Sequence, residues 1–121
     1  MTENPNSKQP KYDLEGRCLI FAKRTNIYVN NLPGTISNLE NGKQLVRSAG
    51  SVGANYIEAN ESLSKRDFVM RIKISRKEAK ESQFWLTLSE PKSEFQKEQN
   101  ELIQESIELR KIFGAILEKS K

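Results

Sequence analysis

Histidine is absent from the 121 residues of this chain, and cysteine occurs once, at Cys18. The first absence removes catalytic triads with a histidine base and metal sites built on imidazole. The second excludes an internal disulfide and fits a reducing cytoplasm, which is the expected location. Aromatic residues make up 7% of the sequence and hydrophobic residues 36%, lean values for a self-sufficient globule. No apolar run approaches the roughly 20 residues that a membrane span requires, so a membrane partner is not expected. Strand-like alternation of any length is lacking, which argues against a sheet. The opening segment, Met1 to Lys11, has no apolar stretch of the kind a secretory signal needs. With Pro5 and Pro10 set among Asn, Ser and Gln, it reads as a disordered tail ahead of one folded domain over residues 12–121.

Charge is what the chain has in quantity. Charged residues make up 30%, with 20 Lys and Arg against 16 Asp and Glu, giving a net charge of +4 and a pI of about 9.2. That balance permits an anionic partner without demanding one. Lean apolar content with abundant charge is the pattern of amphipathic helices, which bury one stripe and solvate the rest. Such a chain gains further burial by self-association.

Apolar and small residues recur in alternating steps of four and three, the spacing of a helical seam. Leu14, Cys18, Phe21, Thr25, Tyr28 and Leu32 mark the first seam, with Leu19, Ile20 and Ile27 expected to widen it and Asp13 to cap the helix. Pro33-Gly34 ends it, because proline disfavours helix in its predecessor and glycine suits a turn. A second helix, opening near Thr35 or Ser37 or only after Gly42, carries Leu45, Ala49, Val52, Tyr56, Ala59 and Leu63. Ser64-Lys65-Arg66-Asp67 has the form of a capping box for a third helix, whose seam is Phe68, Ile72, Ser75, Ala79, Ser82 and Leu86. Pro91 is a stop signal, and Ser93 is the expected cap of a fourth helix with Phe95, Gln99, Leu102, Ser106, Leu109, Phe113 and Ile116. The expected helices cover about 13–31, 37–62, 65–90 and 93–119. Four helices with short connections predict an all-α, antiparallel, up-down-up-down bundle.

The stretch Leu45 to Ala59 is dense in Gly, Ala and Ser. Glycine inside a helix costs roughly 1 kcal/mol relative to alanine, so Gly50 and Gly53 point to close approach of a neighbouring helix. Arg47, Asn55 and Glu58 lie among these small residues and need polar partners if they are buried.

The combination Arg47-Ser48-x-x-Ser51-x-x-x-Asn55-x-x-Glu58-Ala59, then Ser64-x-x-Asp67-Phe68, then Lys77-Glu78-Ala79-x-Glu81-Ser82-x-x-Trp85-Leu86 resembles the bacterial proteins encoded in intervening sequences of 23S ribosomal RNA genes, also called the S23 ribosomal protein family. Tyr12-Asp13-Leu14-Glu15 and the Leu32-Pro33 turn fit the same pattern, so the resemblance spans nearly the whole chain from Tyr12 onward. Departures are small: Ser82 stands where the family often has Thr, and Gly50 where Thr or Ala is usual. The resemblance implies an antiparallel four-helix bundle assembled as a ring-shaped homo-oligomer, a pentamer, with a cellular role that is not established. It is more distantly similar to the basic, pentameric accessory protein of diversity-generating retroelements, which works with a reverse transcriptase and RNA. RNA binding enters from that side by analogy of fold alone.

Three constellations carry the chemistry that the residues offer. Arg66, Lys73, Arg76, Lys77 and Lys80 cluster on one side of the third helix, with Lys65 and Arg71 nearby, and such a stripe can follow a phosphate backbone. The competing reading, which is preferred, is a solvated face or one paired with Glu94, Glu98, Glu101, Glu105 and Glu108 of the fourth helix, because charge runs are commonly solvated and charged stripes beside an apolar seam commonly set pairing between helices or subunits. Aromatics are not interleaved with the basic residues in sequence, which gives base stacking little support. In the second constellation, Glu58, Glu78 and Glu81 are paired carboxylates, but without histidine they favour a structural network around Arg47 inside the bundle over a metal site. In the third, Cys18 is a small core filler without an activating base.

The leading functional reading is therefore a non-enzymatic oligomeric scaffold with no cofactor and no small-molecule substrate. The alternative is an RNA- or ribosome-associated protein that binds through the third-helix basic face. One observation separates them: whether those basic residues are exposed together or are consumed by the acidic stripe.

Overall fold

A computed structural model of the chain describes the backbone from Pro10 and the side chains from Leu14 through Lys121; the tail reading of Met1 to Gln9 lies outside the described residues. Four helices follow one another: α1 over Pro10–Asn30, α2 over Ile36–Asn60, α3 over Lys65–Leu88 and α4 over Gln96–Lys119, with a 3₁₀ turn over Ser93–Phe95 leading into the last. No strand occurs among the described residues. α1 opens at Pro10, ahead of the expected cap at Asp13, so Pro10 and Lys11 belong to the helix; proline's fixed φ and missing N–H suit a first turn. Thr35 caps α2 by accepting from Asn38 N at 3.1 Å, and Ser64 caps α3 by accepting from Asp67 N at 3.0 Å. Ser93 does not cap α4: it begins the 3₁₀ turn, and Phe95 occupies the cap position without a side-chain bond. Pro33 and Pro91 fall in the turns.

Contacts across the bundle run in opposite numerical order on every neighbouring pair. Glu15 meets Asn60 and Cys18 meets Gly53 between α1 and α2. Ser48 meets Ser82 and Val52 meets Ser75 between α2 and α3, while Leu86 meets Gln99 and Arg76 meets Gly114 between α3 and α4. Arg17 meets Glu105 and Arg24 meets Glu98 between α1 and α4. Helices joined by short turns must reverse direction in this way. The α2–α3 and α3–α4 packings are the most extensive, and α1–α4 is the thinnest.

The core follows the four seams: Leu14, Cys18, Phe21 and Tyr28; Leu45, Ala49, Val52 and Tyr56; Ile72, Ala79 and Leu86; Leu102, Leu109 and Phe113. Small residues on α2 and α3 let the two backbones approach, and serine hydroxyls fill what side chains do not. Ser75 Oγ donates to Val52 O at 2.9 Å, and Ser82 Oγ lies 2.9 Å from Ser48 Oγ and 2.8 Å from Glu78 O. Each such buried bond contributes about 1 kcal/mol. Gly53 meets the close neighbour expected of it: a Cβ there would lie 2.9 Å from Cys18 Cβ. Gly50 does not, since nothing lies within 4 Å of where its Cβ would be. Three helical steps rotate a position by about 60°, enough to carry Gly50 from the contact to the edge.

Two apolar expectations fail, one around a helix and one beyond its end. Leu19, Ile20 and Ile27 are 56%, 58% and 59% exposed rather than widening the first seam, because they lie beyond the arc of α1 that its neighbours cover. Leu63 lies past the end of α2 and is fully exposed.

Candidate nucleic-acid interface

Arg66, Lys73, Lys77 and Lys80 recur on α3 in steps of seven, four and three, so they stand in one line along the helix. All four are exposed, as is Arg76, and none of the five makes an ion pair among the described residues. Arg76 leans towards α4, where its Nε lies 3.9 Å from the position a Cβ would take at Gly114. Lys65 is exposed at the head of the line beside Asp67, the one acid there. Arg71 does not join them: it is half-buried on the α2 side and donates to Asn55 Oδ1 at 3.1 Å.

The acidic stripe of α4 is engaged elsewhere. Arg17 clamps Glu105 with two bonds, Nε to Oε2 at 2.6 Å and Nη2 to Oε1 at 2.9 Å. Arg24 clamps Glu98 at 2.9 and 2.7 Å and reaches Glu101 at 2.7 Å. Hydrogen bonding to Glu98 raises the Arg24 guanidinium above its ordinary value, against the opposing pull of desolvation. Glu108 accepts from Gln104 Nε2 at 2.9 Å on its own helix, and Glu94 is exposed. The expected pairing of α4 acids with α3 cations is thus replaced, for Glu98, Glu101 and Glu105, by pairing with two α1 arginines. Sequence reasoning passed over Arg17 and Arg24, although their seven-residue separation matches that of Glu98 and Glu105.

On its other flank α3 carries the polar cluster. Arg47 Nη1 donates to Glu78 Oε1 at 3.2 Å, Arg47 also pairs with Glu81, and Trp85 Nε1 donates to Glu81 Oε2 at 2.9 Å. Arg47 lies at the rim of the bundle rather than inside it: its side chain is 49% exposed, whereas that of Glu78 is 8% exposed. The long arginine stem reaches from the outer edge of α2 to carboxylates at the α2–α3 boundary, which keeps its own charge wet. Asn55 bonds Arg71 and Ser51 instead, and Glu58 is exposed and without an ion pair among the described residues. The expected single network of Arg47, Asn55, Glu58, Glu78 and Glu81 therefore resolves into two separate groups that leave Glu58 out. No three Asp, Glu or Cys side chains among the described residues come together as a metal site would need. Cys18 is 1% exposed, and burial pushes its thiol up to about 12, with Glu105 adding to the shift and Arg17 opposing it.

One aromatic extends the basic line at its end. Phe84 follows Lys77 by seven residues and Lys80 by four, on the same outward face, and is 58% exposed. It borders a surface crevice with Lys77, Lys80, Glu81, Gln83, Thr87 and Arg110 of α4. No aromatic stands between these cations in sequence, but extending the four-three count one step past Lys80 reaches Phe84 at the end of the line. Arg110 joins only through the packing of α4 on α3, which no local pattern encodes.

No helix among the described residues is long and apolar enough to cross a membrane. No curated protein matches the sequence. A crystal structure of a protein of unknown function from the S23 ribosomal protein family, from Bacteroides thetaiotaomicron VPI-5482, superposes with a TM-score of 0.75 at 25% identity, covering 91% of this chain and 99% of that one. The family model for the 23S rRNA-intervening sequence protein matches residues 17–115, from within α1 almost to the end of α4. The chain therefore belongs to the 23S rRNA-intervening sequence protein family.

Proposed function

We propose that this protein is a non-catalytic, cytoplasmic RNA-binding bundle that engages phosphates through the outer face of α3. The observation that carries the reading is the division of charge. Three of the five acids that would have neutralised the basic face, Glu98, Glu101 and Glu105, are held by Arg17 and Arg24, while Arg66, Lys73, Arg76, Lys77 and Lys80 stay exposed and without ion pairs among the described residues. A line of cations about one helical turn apart presents repeated point charges to a phosphate backbone and asks for no base readout. A non-catalytic role is supported by the one thiol being buried with a raised pKa and by the carboxylates serving arginines. The family's name records where its genes lie and does not carry this reading.

The test is RNA binding at low salt, followed by titration with salt. Wild-type protein should bind with an affinity that falls linearly on logarithmic axes, each phosphate contact to a single strand adding about 0.7 to the slope. Replacing Lys73, Lys77 and Lys80 with Glu should abolish binding and leave helix content unchanged, because all three side chains are exposed. Wild-type protein without RNA affinity at low salt overturns the proposal.

A second reading, the self-assembling scaffold, has its own support. Leu39, Val46, Gly50 and Ile57 follow in steps of seven, four and seven, a seam on the outside of α2, and the three apolar side chains are 57%, 39% and 48% exposed. The two readings are compatible, since this seam and the α3 basic line lie on different helices.

A further inference from the structure

We infer that the α3 face selects unpaired nucleotides, with Phe84 as a platform on which one base stacks; this rests on the reading of that face as RNA-binding. Phe84 is more than half exposed, so its ring is not needed to fill the core. The ring is nonetheless held. It meets Trp85 edge-on, with centroids 5.0 Å apart and planes at 75°, and Trp85 is itself fixed by its bond to Glu81 Oε2, to which Arg47 also donates. A braced aromatic loses little freedom when a ligand lands on it, which is the condition for tight stacking.

The surroundings of Phe84 give the occupant's charge. Lys80 lies one turn before it, Lys77 two turns before it, and Arg110 reaches the same crevice from α4. None of these three makes an ion pair among the described residues, and the acid in the crevice, Glu81, already has Arg47 and Trp85 as partners. An exposed π-face among uncommitted cations complements a group that carries an aromatic ring on an anionic backbone. In a duplex the base faces are covered by their neighbours, and only phosphates are offered to such a surface. In a single strand, a loop or a bulge the bases are free to stack on an aromatic side chain. The chemistry therefore favours unpaired RNA over a helix. The sequence of the strand is not read, because every base has a π-face.

The test compares a short oligouridine strand with an RNA duplex of equal length by fluorescence anisotropy on the full chain at low salt. The wild type should prefer the single strand. Phe84→Ala should weaken that binding about ten-fold, leave the duplex affinity and the salt slope unaltered, and keep the helical spectrum. Phe84→Tyr should restore the preference. Trp85, the chain's one tryptophan, should change its emission on binding the strand and not the duplex. Equal affinity of wild type for both nucleic acids, with no effect of Phe84→Ala, overturns this inference while sparing the phosphate-binding reading. No RNA affinity in the wild type overturns both. If Phe84→Ala instead lowers the mass of an assembly and leaves RNA affinity unaltered, Phe84 belongs to a subunit contact and the inference fails.

Discussion

Two glycines one turn apart in α2 have opposite roles. At Gly53 an added Cβ would sit 2.9 Å from Cys18 Cβ, close to the α1 backbone, where no flexible side-chain end can move aside. Gly53→Ala should therefore destabilise the fold by about 1–3 kcal/mol, even though alanine is the better helix former. Gly50 has nothing within 4 Å of its missing Cβ, so Gly50→Ala should stabilise by about 0.5–1 kcal/mol. Urea melts of the two variants check the pair, and movement in the same direction would refute the assignment. The sequence marked the small-residue stretch as a crowded contact, which holds for Gly53, Ser48 and Ala49. It did not separate Gly50 from Gly53, because composition reports a contact without its angular limits. Arg47 shows the same limit: its carboxylate partners Glu78 and Glu81 were legible, and its position at the rim was not.

At the scale of the elements, four-three spacing and two prolines locate all four helices to within a few residues. Periodicity does not report how wide an arc of each helix its neighbours cover, and so Leu19, Ile20 and Ile27 read as core and are surface. The stitching of one end of the bundle was equally hidden, since its bonds join turns far apart in the chain. Asn38, 4% exposed, donates through Nδ2 to Pro33 O and to Glu90 O, both at 3.0 Å, and its Oδ1 accepts from Glu90 N at 3.0 Å. One side chain thus ties the α1–α2 turn to the α3–α4 turn. Nearby, Gln99 Nε2 donates to Leu86 O and Ser89 O at 2.9 and 3.1 Å and closes the end of α3. Asn38→Ala leaves three backbone groups without these partners and should cost about 2–3 kcal/mol, read as a lowered melting temperature. An unchanged melting temperature would mean that water replaces the amide without loss. Asn38→Asp tests the donors alone, because a carboxylate still accepts from Glu90 N but repels both carbonyls.

At the scale of the whole molecule, the unpaired α3 cations and the α2 apolar seam occupy different helices. Glu98, Glu101 and Glu105 of α4 pair with α1, the cations Arg66, Lys73, Arg76, Lys77 and Lys80 of α3 are exposed, and α2 presents Leu39, Val46 and Ile57 in a seam beside a crevice that Val29 and Leu32 of α1 help to line. Single exposed apolar residues are ordinary, but three in helical register form a stripe of the kind that helices bury against one another. We therefore propose a homo-oligomer at micromolar concentration, with the α2 seam at its contact. Val46→Glu and Ile57→Glu should each dissociate the assembly without loss of helix, because both side chains point outward from an intact core. Light scattering on the wild type showing only a 13.9 kDa monomer rejects the assembly, and wild-type mass in both variants moves the contact off α2. Assembly also bears on RNA. A closed ring repeats the α3 face around its axis, so a chain of net charge +4 presents several such faces to one strand. The dissociated variants should accordingly retain intrinsic RNA binding per chain and lose the avidity of the ring. If instead dissociation abolishes all RNA affinity, the binding surface is shared between subunits rather than complete on α3.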